Sequence, residues 1–290
     1  MIIEVRDDFD LKKIQISGQC FRVKEAGSGI FMFITGEHVV FIKELGDKKF
    51  EVSCSEKEWE EIWTAYFDLD RSYEDICRKE YGKHDFTDKA IDFGRGLRIL
   101  RQDKWEMLVS FIISQRKSIP AISSAVEALC RKFGSEIDVT DVHFEEDGEW
   151  STDEACKDPI YSFPTPEQMA GATLDDFKEC GLGYRAPYVY DAIRKVLSGE
   201  LDLEEICRLD DEALFEKLMT VHGVGIKVSN CVCLFAYSRM GRAPIDVWIK
   251  RAIDEEYGGV DPFPEYGENA GIIQQYIFYY EKNGAKQLLK

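Results

Sequence analysis

The hydrophobic pattern of this chain changes once, at Ser55, and that change limits the folds available to it. Residues 1–53 alternate apolar and polar positions between glycines, as in "KIQISGQCFRV" and "GIFMFITGEHVVFIKEL". This is the period of antiparallel strands. Beyond Ser55 helical periodicity dominates, including one long helical stretch over 104–132. The sequence therefore predicts an α+β protein, with an antiparallel sheet domain at 1–88 and a mostly helical, two-lobed region at 89–290.

The composition is that of a globular protein, with 44% apolar and 32% charged residues among 290. Its longest uninterrupted apolar run, "CVCLFAY", is far shorter than the roughly 20 residues of a membrane helix. The start, "MIIEVRDDFD", lacks the basic and apolar regions of a secretory signal. The nine cysteines are scattered, odd in number and without a zinc or iron–sulfur spacing. We therefore expect a cytoplasmic protein with reduced thiols and no membrane contact.

The charge is strongly negative but unevenly distributed. A net charge of −18 argues against a general polyanion binder. Ten acidic residues lie within 135–158, a segment that we interpret as a solvated loop. Between residues 217 and 251 six cations face one acid, which gives a local charge of +5. Such a basic island can bind phosphate locally even on an acidic protein.

Two glycines mark a tight turn between helices in "VHGVGIK". Because Gly223 and Gly225 have no side chains, the backbone N–H groups are exposed where the second helix begins. Free N–H groups and the helix dipole favour an anion at such a terminus, for example a DNA phosphate. A turn that only allows close packing of the two helices explains the glycines equally well.

A lysine and an aspartate follow this turn at a spacing that suggests chemistry. Lys227 lies in the first turn of the second helix, where the dipole mildly disfavours a cation. It either extends to solvent or serves as a nucleophile that forms a Schiff base. Asp246 lies nineteen residues further on and precedes another helix, so its simplest role is that of N-cap. The same carboxylate could stabilise cationic charge that develops on a sugar.

The pattern G-V-G-x-K followed by P-x-D-V resembles the helix–hairpin–helix–Gly/Pro–Asp superfamily of DNA base-excision glycosylases. The resemblance implies a helix–hairpin–helix at about 210–240, with Lys227 attacking the deoxyribose C1′ and Asp246 assisting. It implies no required cofactor, but a phosphate and a structural cation at the hairpin. One departure is His222, where a proline is usual. The backbone carbonyls that match the cation site belong to Met219, Val221 and Val224.

Further segments resemble the 8-oxoguanine DNA glycosylases, and the similarity spans nearly the whole chain. The stretch "SGQCFRV" implies that the Gly18 carbonyl accepts the N7–H that only oxidised guanine carries. Ordinary guanine would present an acceptor there. The stretch "GENAGIIQQYIFYY" implies a C-terminal helix that returns to the base pocket, with Gln274 on the Watson–Crick edge and Phe278 stacked on the base. Cys231 matches the residue on the other face of the base.

Residues that meet the opposite strand are implied by a fourth segment, "CGLGYRAPYV". Here Tyr184 would wedge into the duplex and Arg185 would contact the unpaired cytosine. The chain departs from the family where Arg116 and Lys117 replace asparagines and Ala121 stands in place of a eukaryotic arginine. We therefore expect a relaxed opposite-base preference, with Arg116 contacting DNA instead.

Together these features predict a bifunctional 8-oxoguanine DNA glycosylase and AP lyase, a monomer whose partner is lesion-bearing duplex DNA. A related glycosylase for another damaged purine is the first alternative. Its alkyl-base branch uses only the aspartate, so Lys227 speaks against it, and a branch with a four-cysteine cluster is disfavoured because no cysteine follows Cys233. The second alternative is a non-catalytic hairpin that grips DNA, which would need neither Lys227 nor Asp246.

Overall fold

The computed structural model describes residues 1–27, 29–139 and 158–287, without the side chains of 285–287. Its first part is a five-stranded antiparallel sheet, as the alternation predicts. The strands are β1 (Ile2–Glu4), β2 (Lys24–Glu25), β3 (Ile30–Thr35), β4 (His38–Gly46) and β5 (Lys49–Val52). Their order across the sheet is β1-β5-β4-β3-β2.

The segment just before the second strand is helical rather than extended. Helix α1 (Leu11–Ile16) starts at Asp10, whose side chain caps the first turn. It buries Leu11 and Ile14, which are one turn apart, while Ile16 remains 37% exposed. The strand prediction for this segment was therefore wrong, because the capping aspartate and the i, i+3 pair outweigh a short alternation.

Ser55 caps the first helix beyond the sheet, since its Oγ accepts the N–H of Glu58 at 3.2 Å. That helix consists of α2 (Glu56–Glu58), a π-helical stretch (Trp59–Trp63) and α3 (Thr64–Tyr66). The later helices are α4 (Tyr73–Glu80), α5 (Asp85–Gly94), α6 (Lys104–Ser114), α7 (Ile119–Phe133), α8 (Leu174–Glu179), α9 (Ala186–Leu197), α10 (Asp211–Met219), α11 (Ile226–Tyr237), α12 (Val247–Glu256) and α13 (Ala270–Gln287).

The helix predicted over 104–132 is two helices, α6 and α7, separated by a turn. Pro120 lies in the first turn of α7, a position that tolerates its missing N–H. Within the turn Arg116 adopts a left-handed backbone, with φ of 52°.

Of the acidic segment, residues 140–157 lie outside the described ranges. The chain on either side pairs as two short strands, β6 (Glu136–Ile137) and β7 (Ile160–Tyr161), so the loop prediction for 135–158 was wrong at its first residues.

One hydrophobic core runs from the sheet through α6 and α11 to α13, and includes Phe33, Ile112, Leu234 and Tyr276. The boundary expected between residues 88 and 89 falls within α5, which packs on α13. The division into two domains stays a prediction.

Among the described helices, none has both the length and the apolar character to cross a membrane. The eight cysteines of the described ranges are all free thiols.

Candidate active site

A cavity of about 50 Å³ lies between the helical region and the segment that follows α1. That volume holds one or two water molecules, so a purine enters only if the lining moves. All six residues expected to act on the base or the sugar line this cavity, although they come from widely separated parts of the chain. The lining residues are Gly18, Phe111, Lys227, Cys231, Phe235, Pro244, Asp246, Gln274, Gln275 and Phe278.

The hairpin between α10 and α11 uses its two glycines differently. Gly223 has φ of 83°, and a Cβ on it would lie 2.3 Å from the ring of Tyr188. Close packing therefore requires this glycine. Gly225 has φ of −106°, and a Cβ there would meet nothing within 4 Å. The backbone at the start of α11 is thus open to a ligand, while the turn itself is fixed by the hydrogen bond from Gln115 Nε2 to Gly223 O at 3.1 Å.

Lys227 is half-buried at the start of α11 and packs against α6. Its Nζ lies 3.4 Å from Ser114 Oγ and 5.2 Å from the centre of the Phe111 ring, a cation–π distance. Cys231 lies one turn further along α11. Burial raises the pKa of the Cys231 thiol, although the charge of Lys227 lowers it. The thiol is therefore neutral and does not compete as a thiolate nucleophile.

Asp246 is the N-cap of α12, its simplest expected role. Its Oδ1 accepts the N–H groups of Trp248 and Ile249, both at 3.0 Å. These two bonds fix the carboxylate while its other oxygen, Oδ2, takes part in neither. Asp246 lines both the cavity and an adjoining surface groove of about 670 Å³, to which Lys250 and Arg251 also contribute. The carboxylate thus lies at the point where the cavity meets the surface.

Gly18 follows α1 with φ of 81°, and a Cβ on it would lie 2.6 Å from Ile119 Cδ1. Its neighbour Gln19 is fully buried and is bonded to the backbone at both ends of its amide. Gln19 Nε2 donates to Arg98 O and Gln19 Oε1 accepts the N–H of Leu100, each at 2.8 Å. Both the glycine and its position are therefore fixed by backbone geometry and close contact.

Gln274 and Phe278 lie one turn apart on α13. Gln274 is 2% exposed, and its Nε2 donates to Pro244 O at 2.9 Å. Phe278 is half-buried, with Lys282 Nζ at 5.7 Å from the centre of its ring. The C-terminal helix therefore brings an amide and an aromatic face to the cavity that Gly18 lines.

The residues expected at the opposite strand lie at the α6–α7 turn and the start of α9. Tyr184 is 52% exposed, whereas Arg185 is 6% exposed. Arg185 Nε donates to Gln115 O at 2.8 Å, and its guanidinium carbon lies 4.3 Å from the centre of the Tyr184 ring. Arg116 is exposed. Tyr184 and Arg116 are thus accessible as they stand, while Arg185 would have to leave the Gln115 carbonyl to reach a base.

The basic island of residues 217–251 is largely neutralised in the fold. Four of its six cations form ion pairs with acids that lie outside that stretch of the sequence. The local charge of +5 is therefore not what the folded surface presents. The pairs are Arg239 with Asp211 at 3.4 Å, Arg242 with Glu212 at 3.0 Å, Lys250 with Asp254, and Arg251 with Glu281.

Sequence reasoning missed five residues at the site, one of which is Pro244, whose carbonyl accepts the hydrogen bond from Gln274. Phe111, Ser114 and Phe235 belong to helices whose apolar runs indicate core, and nothing in their spacing distinguishes them. Gln275 carries a usable signal, because it is a second amide in an apolar part of α13, directly after Gln274.

Comparison with known proteins assigns the chain to a family. Residues 1–108 match the 8-oxoguanine DNA glycosylase N-terminal domain, and residues 109–269 match the HhH-GPD superfamily base excision DNA repair protein. An N-glycosylase/DNA lyase of Saccharomyces cerevisiae is 33% identical over 174 residues, which cover 56% of this chain and 42% of the yeast protein. A probable N-glycosylase/DNA lyase of Methanothermobacter thermautotrophicus is 27% identical, with 93% of each chain covered.

Among solved structures, the 8-oxoguanine glycosylase/lyase of Clostridium acetobutylicum, in complex with double-stranded DNA containing cytosine opposite 8-oxoguanine, superimposes with a TM-score of 0.86. The two chains are 33% identical, and 98% of each is covered. This match extends over the sheet, the hairpin and α13 together. The chain therefore belongs to the HhH-GPD superfamily of base excision DNA repair proteins, and within it to the 8-oxoguanine glycosylase/lyases.

Proposed function

We propose that this protein removes 8-oxoguanine from duplex DNA and then cleaves the abasic strand, with Lys227 as the nucleophile. The observation that carries the proposal is the convergence of Lys227 and Asp246 on the cavity that Gly18 and Gln274 also line. A nucleophile, a carboxylate and groups able to read a base thus surround one space.

The chemistry follows from the groups present. Lys227 Nζ, once deprotonated, attacks C1′ as the C1′–N9 bond breaks, and the bonding electrons leave with the base. The sugar ring opens to a Schiff base on Nζ. Loss of a C2′ proton then expels the 3′ phosphate by β-elimination. The Asp246 carboxylate, held still by its capping bonds, stabilises the positive charge that develops on the sugar.

Recognition of the base is assigned to the rest of the lining. The Gly18 carbonyl accepts N7–H, which oxidised guanine has and guanine lacks. Gln274 reads the Watson–Crick edge. Phe278 and the neutral thiol of Cys231 cover the two faces, as an extruded base requires.

The remaining contacts concern the DNA around the lesion. Tyr184 wedges between bases, and Arg116 and Arg185 contact the opposite strand. Because Ala121 offers no hydrogen-bonding group, the opposite-base preference is relaxed. The open start of α11 at Gly225 receives a phosphate.

A cation at the hairpin is compatible with the backbone there, but the reaction does not require one. The Val221 carbonyl accepts the N–H of Val224 at 3.0 Å and retains a second lone pair. With the carbonyls of Met219 and Val224 it would hold a cation that orders the turn. In the described ranges no three His, Cys, Asp or Glu residues are grouped to bind a metal ion. The protein works as a monomer in the cytoplasm.

Borohydride trapping tests the proposal with duplexes that carry 8-oxoguanine opposite each of the four bases. We expect the wild-type protein to be trapped covalently and Lys227→Gln to give no adduct. Lys217→Gln is the matched control, because it removes a lysine from the preceding helix that does not line the cavity, and it should be trapped like wild type. Adducts with several opposite bases would support the relaxed preference. An adduct with Lys227→Gln, or none with wild type, would contradict the assignment of the nucleophile.

A further inference from the structure

The base cavity contains a second glutamine that the proposed recognition does not use. Gln275 lines the cavity and is 5% exposed. Its Nε2 donates to Gln274 Oε1 at 3.1 Å, whereas its own Oε1 is buried without a hydrogen-bond partner. A buried carbonyl oxygen without a donor is unfavourable, and folded proteins seldom retain one without a function for it.

The orientation of this amide is fixed by a short chain of hydrogen bonds that starts at Pro244. The Pro244 carbonyl can only accept, so Gln274 must turn its Nε2 toward it, at 2.9 Å. Gln274 Oε1 then faces Gln275, which must in turn present its own Nε2. Exchanging oxygen and nitrogen in either amide would bring two acceptors or two donors together. The free end of Gln275 is therefore a carbonyl oxygen, an acceptor.

We propose that Gln275 Oε1 accepts a hydrogen bond from the Watson–Crick edge of the extruded base, and that Gln275 is a specificity-determining residue for guanine-type purines. This inference rests on the proposed function. The edge of 8-oxoguanine carries N1–H and an exocyclic amine, which are both donors. In an adenine-type purine N1 is a bare acceptor, and its lone pair would face the Gln275 oxygen.

Two carbonyl oxygens thus each recognise a different edge of the base. The Gly18 carbonyl distinguishes an oxidised imidazole ring from an intact one. The Gln275 carbonyl distinguishes guanine from adenine. In both cases the wrong base replaces an attraction with a repulsion, which discriminates more strongly than the loss of a contact.

The experiment measures single-turnover base release from duplexes carrying either 8-oxoguanine or 8-oxoadenine. Both bases carry the oxidised ring that Gly18 would read, so the comparison isolates the Watson–Crick edge. We expect the wild-type protein to favour 8-oxoguanine by at least about a hundredfold. Gln275→Met keeps the length and volume of the side chain but removes the acceptor, and it should lower that ratio by roughly tenfold or more.

Tyr276→Phe is the control, since Tyr276 is the next residue of α13 and is fully buried, but does not line the cavity. Its ratio should equal that of wild type. If Gln275→Met slows both substrates equally, the ratio is unchanged and the inference is overturned. Equal release of both bases by the wild-type protein would overturn the inference even if that variant does not fold. Failure of wild type to release 8-oxoguanine at all would instead refute the proposed function.

Discussion

The two sides of the cavity are built in different ways. The Gly18 side, formed by Gly18, Gln274 and Gln275, is held by buried hydrogen bonds. Gln19, next to Gly18, and Gln274 bond to backbone carbonyls, and Gln275 bonds to the Gln274 side chain. The Lys227 side, formed by Lys227 and Asp246, is half-buried and stands on the first turns of two helices. The first arrangement suits a rigid base, which is read by fixed polar atoms. The second places the reacting groups at the cavity mouth, where the sugar and phosphate of an extruded nucleotide remain.

This difference predicts that substitutions on the Lys227 side affect the rate more than the fold. Asp246→Asn tests this prediction most directly. Because asparagine caps helices about as well as aspartate, the unfolding free energy should change by less than about 0.5 kcal/mol. The rate of base release should fall about a thousandfold, since the neutral amide cannot stabilise a cationic sugar. Denaturant unfolding and single-turnover assays measure the two effects.

Asp210→Asn provides the control for that substitution. Asp210 caps α10 through Ala213 N at 2.8 Å and does not line the cavity. Its release rate should match that of wild type. If Asp246→Asn unfolded far more easily than Asp210→Asn, the lost rate would reflect a structural role for Asp246, and the contrast between the two sides would weaken.

The support behind the Gly18 side should respond to pH. Glu106 is buried beside Arg22, which lies four residues after Gly18. Arg22 Nη1 is 3.5 Å from Glu106 Oε2. Burial raises the pKa of Glu106 from 4.5 to about 7, although Arg22 lowers it. The folded protein therefore holds this proton more tightly than the unfolded chain does. Its unfolding free energy should fall by about 3 kcal/mol between pH 4.5 and about 7, and not change further above that range through this group.

Glu106→Gln removes this titration, because glutamine stays neutral in both states. Urea unfolding at a series of pH values should show a smaller fall in stability for the variant than for wild type. Identical pH profiles for the two proteins would show that Arg22 keeps Glu106 ionised in the fold and that the pair is not under electrostatic strain.

The smallest effect is expected from the backbone at Gly18. Gly18→Ala places a Cβ at a residue with φ of 81° and 2.6 Å from Ile119 Cδ1. We expect a stability loss of about 2 kcal/mol and at least a tenfold slower release of 8-oxoguanine. Gly46→Ala is the control, with φ of 88° and open space around its Cβ. Because it shares only the backbone strain, it should lose about 1 kcal/mol and no activity. Equal behaviour of both variants would refute a special role for the Gly18 side.

The sequence was most informative where local chemistry decides the structure. Ser55 and Asp246 are caps as predicted, and the glycine turn does join two helices. Six residues spread from Gly18 to Phe278 line one cavity. Their resemblance to family motifs predicted this grouping, whereas the periodicity of the sequence could not have done so.

The errors had both local and distant causes. Ile14 and Ile16 alternate, yet the Asp10 cap and the burial of Leu11 and Ile14 on one face go with a helix there. The cations near the hairpin looked unpaired only because partners such as Glu212 and Glu281 approach from other helices. Phe111 could not be distinguished because α6 is mostly apolar and is buried on nearly every side.

The small volume of the cavity bears on the search for inhibitors. With space for one or two water molecules, the base cavity offers no preformed receptor for a purine-sized compound. Compounds selected against this structure would fit the larger surface groove beside Asp246 rather than the base cavity. A competitive ligand would have to displace the lining residues as it binds, as the base of an extruded nucleotide would.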